Sequence, residues 1–448
     1  MREIERKQIK IIKAVKNYFM NCKKNNVDIS TSPNCYMTTW TSTRGYFKLF
    51  KILKKKCSGN FFFLIKDILG ISLLFDYDIY FNKNSKKKNN LLISYCLKKN
   101  FDKNGNFNDP YFNLNSSQKF NSWFLISLDG YIPKNLKEDI YIFYKKSKKK
   151  ISLLFLIKEI FYIFMNNLLS FQKLSHLVSK QHIFGKLIIN AYKDTFYVQD
   201  FKNVVINYEG IPFQHALINF IKKKNVNTKI ICYLHCAGWP LQTDLIYRHK
   251  KIDLLLVSGV AQKNNLTNNL GWPSKKIKVI PSLRFKKKKN EFSGYIFVPF
   301  ELSNKNTYHK SFENYLKKIK IKSLNNLKLR VHPLNEGSKK HKIFSNHMQS
   351  ILNKYKNKFN NKKKKNTSVI FGSATGVSVQ ALEDGVKIIH FPKDISLDVF
   401  TKKMWPSINV KVLKENIFSY EIRKKNSIFW VKNKRANFNK YVVDKMTK

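Results

Sequence analysis

Short apolar runs alternate with longer segments of helical periodicity from about residue 200 onward. This alternation is typical of βαβ units built around a parallel sheet. Four runs predict a first set of strands, at residues 204–206, 229–234, 254–257 and 277–280. Each run ends in polar or glycine-containing residues, and open α/β sheets bind ligands at that end of their strands. We therefore expect functional side chains directly after these runs.

A second strand series follows the lysine run 286–289, which we interpret as an exposed linker. It predicts strands at residues 295–298, 327–331, 369–371 and 388–391. Earlier in the chain, the runs 91–95 and 123–128 predict strands that begin the first domain near residue 90. The predicted organisation is a helical extension at 1–89, an α/β domain at 90–288, a second at 289–415 and an amphipathic helical tail at 416–448.

Two apolar stretches raise the question of a membrane, 61–75 and 151–171. The first is too short to cross a bilayer, and the second has Lys158 and Glu159 near its centre, where charge is costly. We therefore predict buried helices, with a helix on a membrane surface as the second interpretation, since three lysines precede residue 151. The N-terminus lacks the apolar segment of a secretory signal, so we expect a cytoplasmic protein; peripheral contact with an anionic inner membrane belongs to the second interpretation.

Charge is the unusual feature of the composition. The 448 residues include 85 Lys plus Arg against 28 Asp plus Glu, a formal net charge of +57. Such a field attracts nucleic acid, anionic lipid or phosphorylated substrates. However, the abundant residues (Lys, Asn, Ile and Phe) all have A/T-rich codons, while Arg, which recognises phosphate and bases in a bidentate manner, is scarce. The charge therefore does not identify a nucleic-acid-binding protein, and nucleic acid is not an expected partner.

The cysteines give no clear metal site or disulfide framework. The six Cys residues are scattered and none has CxxC spacing. Cys232, His235 and Cys236 could suggest a metal, but four tetrahedral ligands at workable spacing are not evident. Asp76 and Asp78 form a DxD sequence inside an aromatic run, which we interpret as coincidence. No metal and no cofactor are predicted.

Three short motifs could carry chemistry, although each also has a structural interpretation. Glu209 before Gly210 could act as a general base or cap the next helix. His332, held extended by Pro333, could donate to a phosphate oxygen or be a structural histidine. Residues 372–378 open a helix with Gly, Ser and Thr, whose backbone N–H groups and hydroxyls suit an anion.

The order of these motifs resembles that of the GT-B bacterial sialyltransferases and polysialyltransferases. The resemblance implies a GT-B-like α/β fold in which two Rossmann-like domains, for acceptor and nucleotide-sugar, face a central cleft. It implies Glu209 as the base, His332 with Pro333 at the donor phosphate, and a phosphate-binding turn of Gly372, Ser373, Thr375 and Gly376. Two departures bear on the donor: Tyr208 replaces a second acid, and Ala374 splits the Ser/Thr motif.

A larger part of the chain, about 90–410, is similar to bacterial surface-carbohydrate biosynthesis proteins. The similar stretches are residues 91–95, 109–112, 208–216, 234–235, 257–259, 270–273 and 331–333. His235, Asp109 and Tyr111 are candidates for the acceptor side, with core or loop roles as the alternative. The expected activity is metal-independent inverting transfer from a nucleotide-sugar, such as a CMP-sialic-acid-like donor, to a glycan or lipid-linked acceptor. The alternatives are a CDP-polyol phosphotransferase of teichoic-acid type, a nucleic-acid-binding protein and a non-catalytic subunit of the same fold.

Overall fold

A computed structural model of the chain describes most of its residues. The described ranges are 1–24, 75–82, 88–116, 121–150, 152–165, 180–196, 201–236, 240–248, 251–283, 292–302, 304–332, 335–360, 366–372 and 376–423. The predicted linker at 286–289, residues 61–74 of the first apolar stretch and residues 424–448 of the predicted tail lie outside them.

The first domain is built on an eight-stranded sheet whose order is β1-β6-β5-β2-β7-β8-β9-β10. Its strands are β1 (Phe75–Phe81), β2 (Asn90–Cys96), β5 (Asn121–Ser127), β6 (Ile140–Lys150), β7 (Asn203–Tyr208), β8 (Lys229–Leu234), β9 (Leu254–Val257) and β10 (Ile277–Val279); β3 (Asn108–Asp109) pairs separately with β4 (Leu114–Asn115). All neighbours run parallel except the edge strand β1. The helices of this half are α1 (Arg2–Lys24), α2 (Leu153–Met165), α3 (Lys180–Phe196), α4 (Pro212–Lys224) and α5 (Val260–Asn268). The central strands are apolar because a parallel sheet covered by helices is buried on both faces.

The second domain has a six-stranded sheet of order β13-β11-β15-β16-β18-β17. Its strands are β11 (Tyr295–Phe297), β13 (Lys328–Arg330), β15 (Thr367–Phe371), β16 (Lys387–Phe391), β17 (Ile408–Lys414) and β18 (Ile417–Ile422); β12 (Leu324–Asn325) pairs with β14 (Phe359–Asn360). Strands β13, β11, β15 and β16 are parallel, and the hairpin β17–β18 joins antiparallel. Its helices are α6 (Lys305–Lys318), α7 (Lys339–Lys354), α8 (Gly376–Glu383) and α9 (Ile395–Asp398). Two successive Rossmann-like sheets confirm the predicted GT-B-like α/β fold class.

Buried contacts connect the two domains. One cluster of buried apolar side chains includes Val204 of β7, Ile370 of β15 and Val15 of α1. Gln8 of α1 donates a hydrogen bond to the carbonyl of Val399 (2.8 Å), and its side-chain oxygen accepts one from Thr401 (2.7 Å). The buried indole of Trp405 donates to the carbonyl of Pro240 in the first domain (3.0 Å).

Three local predictions differ from the structure. Strand β1 lies inside the range predicted as a helical extension, because Phe75–Ile79 alternates apolar and polar residues with the period of a strand. Strand β18 begins where a helical tail was predicted, since Phe418 and Tyr420 bury against the second domain by pairing with β16. The expectation of a buried helix at 151–171 is wrong over its described part, because Leu154 of α2 is 77% exposed. Within the described residues, the structure contains no helix with both the length and the apolarity needed to span a membrane.

Candidate active site

Glu209 and His235 lie side by side at the carboxyl edge of the first sheet. Tyr208 of β7 pairs with Leu234 of β8, so the next residue of each strand emerges at the same edge. Oε1 of Glu209 is 3.1 Å from Nε2 of His235. The His235 side chain is 4% exposed and that of Glu209 is 28% exposed. The imidazole therefore holds the carboxylate from the protein side, while the carboxylate stays within reach of solvent and ligands.

A tight turn fixes the backbone of Glu209. Gly210 has φ +78°, a left-handed conformation that favours glycine. The side-chain oxygen of Gln214, in the first turn of α4, accepts hydrogen bonds from the backbone N–H groups of Glu209 (2.9 Å) and Gly210 (3.1 Å). The Gln214 amide in turn donates to the carbonyl of Asn207 (2.7 Å). Our sequence reasoning missed Gln214, although a Gln three residues into a helix is a known capping signal.

Cys236 completes a cluster with these two side chains. Its Sγ is 3.1 Å from Nε2 of His235 and 3.6 Å from Oε1 of Glu209. Gln262 of α5 donates to the carbonyl of Cys236 (2.9 Å) and so holds its backbone. Three potential metal ligands thus converge on one space. Sequence spacing alone does not indicate this set, because Glu209 is distant along the chain from His235 and Cys236.

Tyr111 packs against this cluster, and Asp109 holds the loop that carries Tyr111. The ring of Tyr111 packs edge-on against that of His235, with 4.6 Å between the centroids. Asp109 is buried and accepts hydrogen bonds from Ser94 Oγ (2.6 Å) and from the backbone N–H groups of Tyr111 (3.1 Å) and Phe112. Its carboxylate therefore holds the loop that carries Tyr111, which is the loop role considered as the alternative.

In the second domain, His332 follows the edge strand β13. Its side chain is exposed, and its ring packs edge-on against Phe300 at 5.2 Å between centroids. Its carbonyl accepts a hydrogen bond from the backbone of Asn335 (2.7 Å). Pro333 lies outside the described residues. His332 thus lies beyond the carboxyl end of a parallel strand, where open α/β sheets bind their ligands.

The predicted phosphate-binding turn follows β15 at the same edge of this sheet. Gly372 has φ +74°, and its N–H donates to the carbonyl of Phe391 (2.8 Å). Ser373 and Thr375 lie outside the described residues, and Gly376 begins helix α8. Strands β13 and β15 lie on the two sides of β11 and run parallel to it. His332 and Gly372 therefore follow their strands at the same carboxyl edge of the sheet, with one strand between them.

A buried histidine supports that turn. His390 of β16 lies with its Nε2 2.6 Å from the carbonyl of Gly372 and its Nδ1 2.7 Å from the hydroxyl of Tyr420. A carbonyl can only accept, so Nε2 carries the proton and Nδ1 accepts from Tyr420. Burial lowers the pKa of His390 to about 4, which keeps the ring neutral. The sequence pattern at residues 388–391 predicts a strand and does not indicate that His390 supports the turn at Gly372.

Comparisons with known proteins give a limited result. No protein-family model and no curated protein matches the sequence. Similar solved structures include one described as trehalose-6-phosphate from E. coli bound with UDP-2-fluoro glucose, at 12% identity over 65% of this chain and 81% of that chain, with a TM-score of 0.31. A second concerns glycosyltransfer with retention by trehalose-6-phosphate synthase, at 14% identity over 66% of this chain and 81% of that chain, with a TM-score of 0.32. A third is trehalose-6-phosphate synthase OtsA, at 11% identity over 66% of this chain and 82% of that chain, with a TM-score of 0.32. At these values the likeness transfers neither residue correspondences nor an activity to this chain.

Proposed function

We propose that this protein is a glycosyltransferase that uses Glu209 as the general base toward an acceptor hydroxyl. The observation that carries the proposal is the Glu209–His235 pair, at 3.1 Å, on the ligand-binding edge of a parallel sheet. A base must be partly open to substrate and held in one orientation by its surroundings. The 28% exposure of Glu209 and the clamp of its backbone by Gln214 satisfy both requirements.

The proposed reaction divides the work between the two domains. The acceptor hydroxyl gives its proton to the Glu209 carboxylate, and its oxygen forms a bond to the anomeric carbon of the donor. The bond from that carbon to the phosphate oxygen breaks, and its electron pair leaves with the nucleotide. His332 and the turn at Gly372 face this phosphate in the proposal, where hydrogen-bond donors stabilise the developing charge. His235 acts as a positioning residue for Glu209.

Several finer features of the proposal rest on the sequence resemblance. These are inverting stereochemistry, transfer without a metal, a donor such as a CMP-sialic-acid-like sugar nucleotide, and a role in capsule or lipopolysaccharide synthesis in the cytoplasm. In the proposal, a single carboxylate base and the departing phosphate act on opposite sides of the anomeric carbon, which is the arrangement of direct displacement with inversion. Stereochemistry is checked by the anomeric configuration of the product, and retention would remove this feature while leaving the base to be tested separately.

A nucleotide screen tests the proposed function first. CMP, CDP, UDP and GDP are added to the purified protein, and the thermal midpoint is recorded. A ligand at 100 times its Kd stabilises the folded state by about 2.7 kcal/mol, which is readily seen. We expect one nucleotide to raise the midpoint and the matching nucleotide-sugar to support transfer to a glycan or lipid-linked acceptor. Transfer of a polyol phosphate from a CDP-polyol, or stabilisation by nucleic acid alone, would contradict the proposal.

We also propose that α2 rests on the anionic inner membrane. Six apolar side chains of this helix are more than half exposed: Leu153, Leu154, Ile157, Phe161, Tyr162 and Met165. The strand before it ends in the sequence Lys148–Lys150, and the chain carries a net charge of +57, so an anionic lipid surface complements the overall charge of the protein. Glu159 is the acidic residue near the centre of α2, and its Oε2 lies 4.0 Å from Nζ of Lys186.

Vesicle binding distinguishes attachment through the apolar face of α2 from attraction through the overall positive charge of the chain. We expect binding to phosphatidylserine vesicles that weakens with salt, because screening acts over about 8 Å at physiological ionic strength. Leu154→Glu should weaken it further, whereas the control Val226→Glu, which changes a 74% exposed valine elsewhere, should not. Equal losses in the two variants, or release by detergent only, would contradict peripheral binding through α2.

A further inference from the structure

The cluster of Glu209, His235 and Cys236 has the composition of an open metal site. One imidazole nitrogen, one thiol sulfur and one carboxylate oxygen lie within 4.8 Å of one another. Borderline-soft cations such as Zn²⁺ prefer this donor set, while hard cations such as Mg²⁺ prefer oxygen alone. We propose that this cluster binds a thiophilic divalent cation of the Zn²⁺ class, and that the bound ion blocks the base function of Glu209.

The distances agree with tetrahedral coordination. Metal–ligand bonds of about 2.0–2.3 Å place neighbouring donors of a tetrahedron about 3.3–3.6 Å apart. The observed separations are 3.1 Å between Nε2 and Oε1, 3.1 Å between Nε2 and Sγ, and 3.6 Å between Oε1 and Sγ. An ion would therefore need side-chain shifts of only a few tenths of an ångström. Nε2 of His235 contacts both Oε1 of Glu209 and Sγ of Cys236. All three atoms can therefore face one ion, whereas a proton relay would use both ring nitrogens of the histidine.

The backbone around the cluster is already fixed. Gln214 clamps the N–H groups at Glu209, and Gln262 holds the carbonyl of Cys236, while His235 is buried at the end of β8. A preformed site loses little ordering entropy when the ion binds. Three protein ligands leave a fourth tetrahedral position for water or a substrate oxygen. Glu209 and Cys236 are both partly exposed, so an ion can enter from their side.

The consequence for regulation rests on the proposed function. A cation bound to Oε1 withdraws electron density from both oxygens of the Glu209 carboxylate, so the carboxylate becomes a weaker base toward the proton of the acceptor. Transfer without added metal therefore proceeds, and Zn²⁺ inhibits it. The inhibition is reversed by a chelator.

Cobalt spectroscopy tests binding without any substrate. Co²⁺ replaces Zn²⁺ and gives a thiolate-to-cobalt charge-transfer band when Cys is a ligand. We expect the band in the full-length protein, its loss in Cys236→Ala, and affinity at least about 100-fold weaker in His235→Ala, since even residues that only support a ligand are worth 10- to 100-fold. The control Cys232→Ala removes a buried thiol four residues away in β8 and should keep the band. A band that persists in Cys236→Ala, or the absence of a band in the wild type, would overturn the site.

Inhibition is measured separately, as the ratio of transfer with and without Zn²⁺ for each variant. The wild type should be sensitive and Cys236→Ala should be resistant. A cobalt band without any glycosyl transfer would support the metal site and contradict the proposed function. Transfer that persists with Zn²⁺ bound would keep the function and contradict the regulation, and transfer abolished by a chelator would show instead that the metal is required.

Discussion

The substitution Gly210→Ala tests whether the Glu209 turn is as tightly packed as the structure indicates. Gly210 has φ +78°, and an alanine in this left-handed conformation costs about 1–2 kcal/mol. Its Cβ would lie 2.8 Å from the carbonyl oxygen of Asp244 and 2.9 Å from Cδ2 of Leu245. Overpacking of this kind costs about 1–3 kcal/mol more. The variant should therefore lose about 2–5 kcal/mol and displace Glu209.

Gly385→Ala is the matched control for that variant. Gly385 has φ +76°, and a Cβ there would meet nothing within 4 Å, so it carries the conformational cost without the clash. Both substitutions also reduce the entropy of the unfolded chain equally, and this effect cancels in the comparison. Urea unfolding should give Gly210→Ala a stability about 1–3 kcal/mol below that of Gly385→Ala. Only Gly210→Ala should lose the cobalt band. Equal stability in the two variants would refute the packing argument at Glu209.

Two further predictions concern the second domain. Burial lowers the pKa of His390 from its ordinary value of 6.5 to about 4 in the folded protein, so the unfolded chain takes up the proton first as pH falls. The free energy of unfolding should therefore be about 2 kcal/mol lower at pH 5 than at pH 7. His309 titrates in the same window with its pKa lowered to about 4 by burial, so the test is the smaller pH dependence of His390→Gln relative to wild type. Trp405→Phe leaves the carbonyl of Pro240 without its indole donor, and the free energy of unfolding in urea should fall by about 1–3 kcal/mol. An unchanged urea midpoint would contradict a role of Trp405 in holding the domains together.

The sheets were predictable from the sequence where the strands are buried on both faces. Residues 229–234 and 254–257 were predicted as strands and coincide with β8 and β9, because a continuous apolar run between turn residues is a strong signal. Strand β18 was missed, since six residues with a polar end fit a helix or a strand equally well. Its pairing with β16, which is distant in sequence, decides the outcome.

The candidate site could be predicted only one residue at a time. Glu209 and His235 were recognised because each follows an apolar run. Their contact depends on β7 and β8 being neighbours in register, which local sequence does not specify. Cys236 joins the pair for the same reason. Gln214 and His390 act through hydrogen bonds to backbone groups, and no sequence pattern that we used reports such bonds.

The most direct test of the proposed mechanism compares Glu209→Gln with His332→Ala. A base on the acceptor acts in the transition state, so Glu209→Gln should keep nucleotide affinity by calorimetry and lose about 10²–10⁴-fold in turnover. His332 is proposed to contact the donor phosphate before and during reaction, so His332→Ala should weaken nucleotide binding and slow turnover together. Unchanged turnover in Glu209→Gln would contradict its role as the base. Normal nucleotide binding in His332→Ala would contradict the proposed donor site.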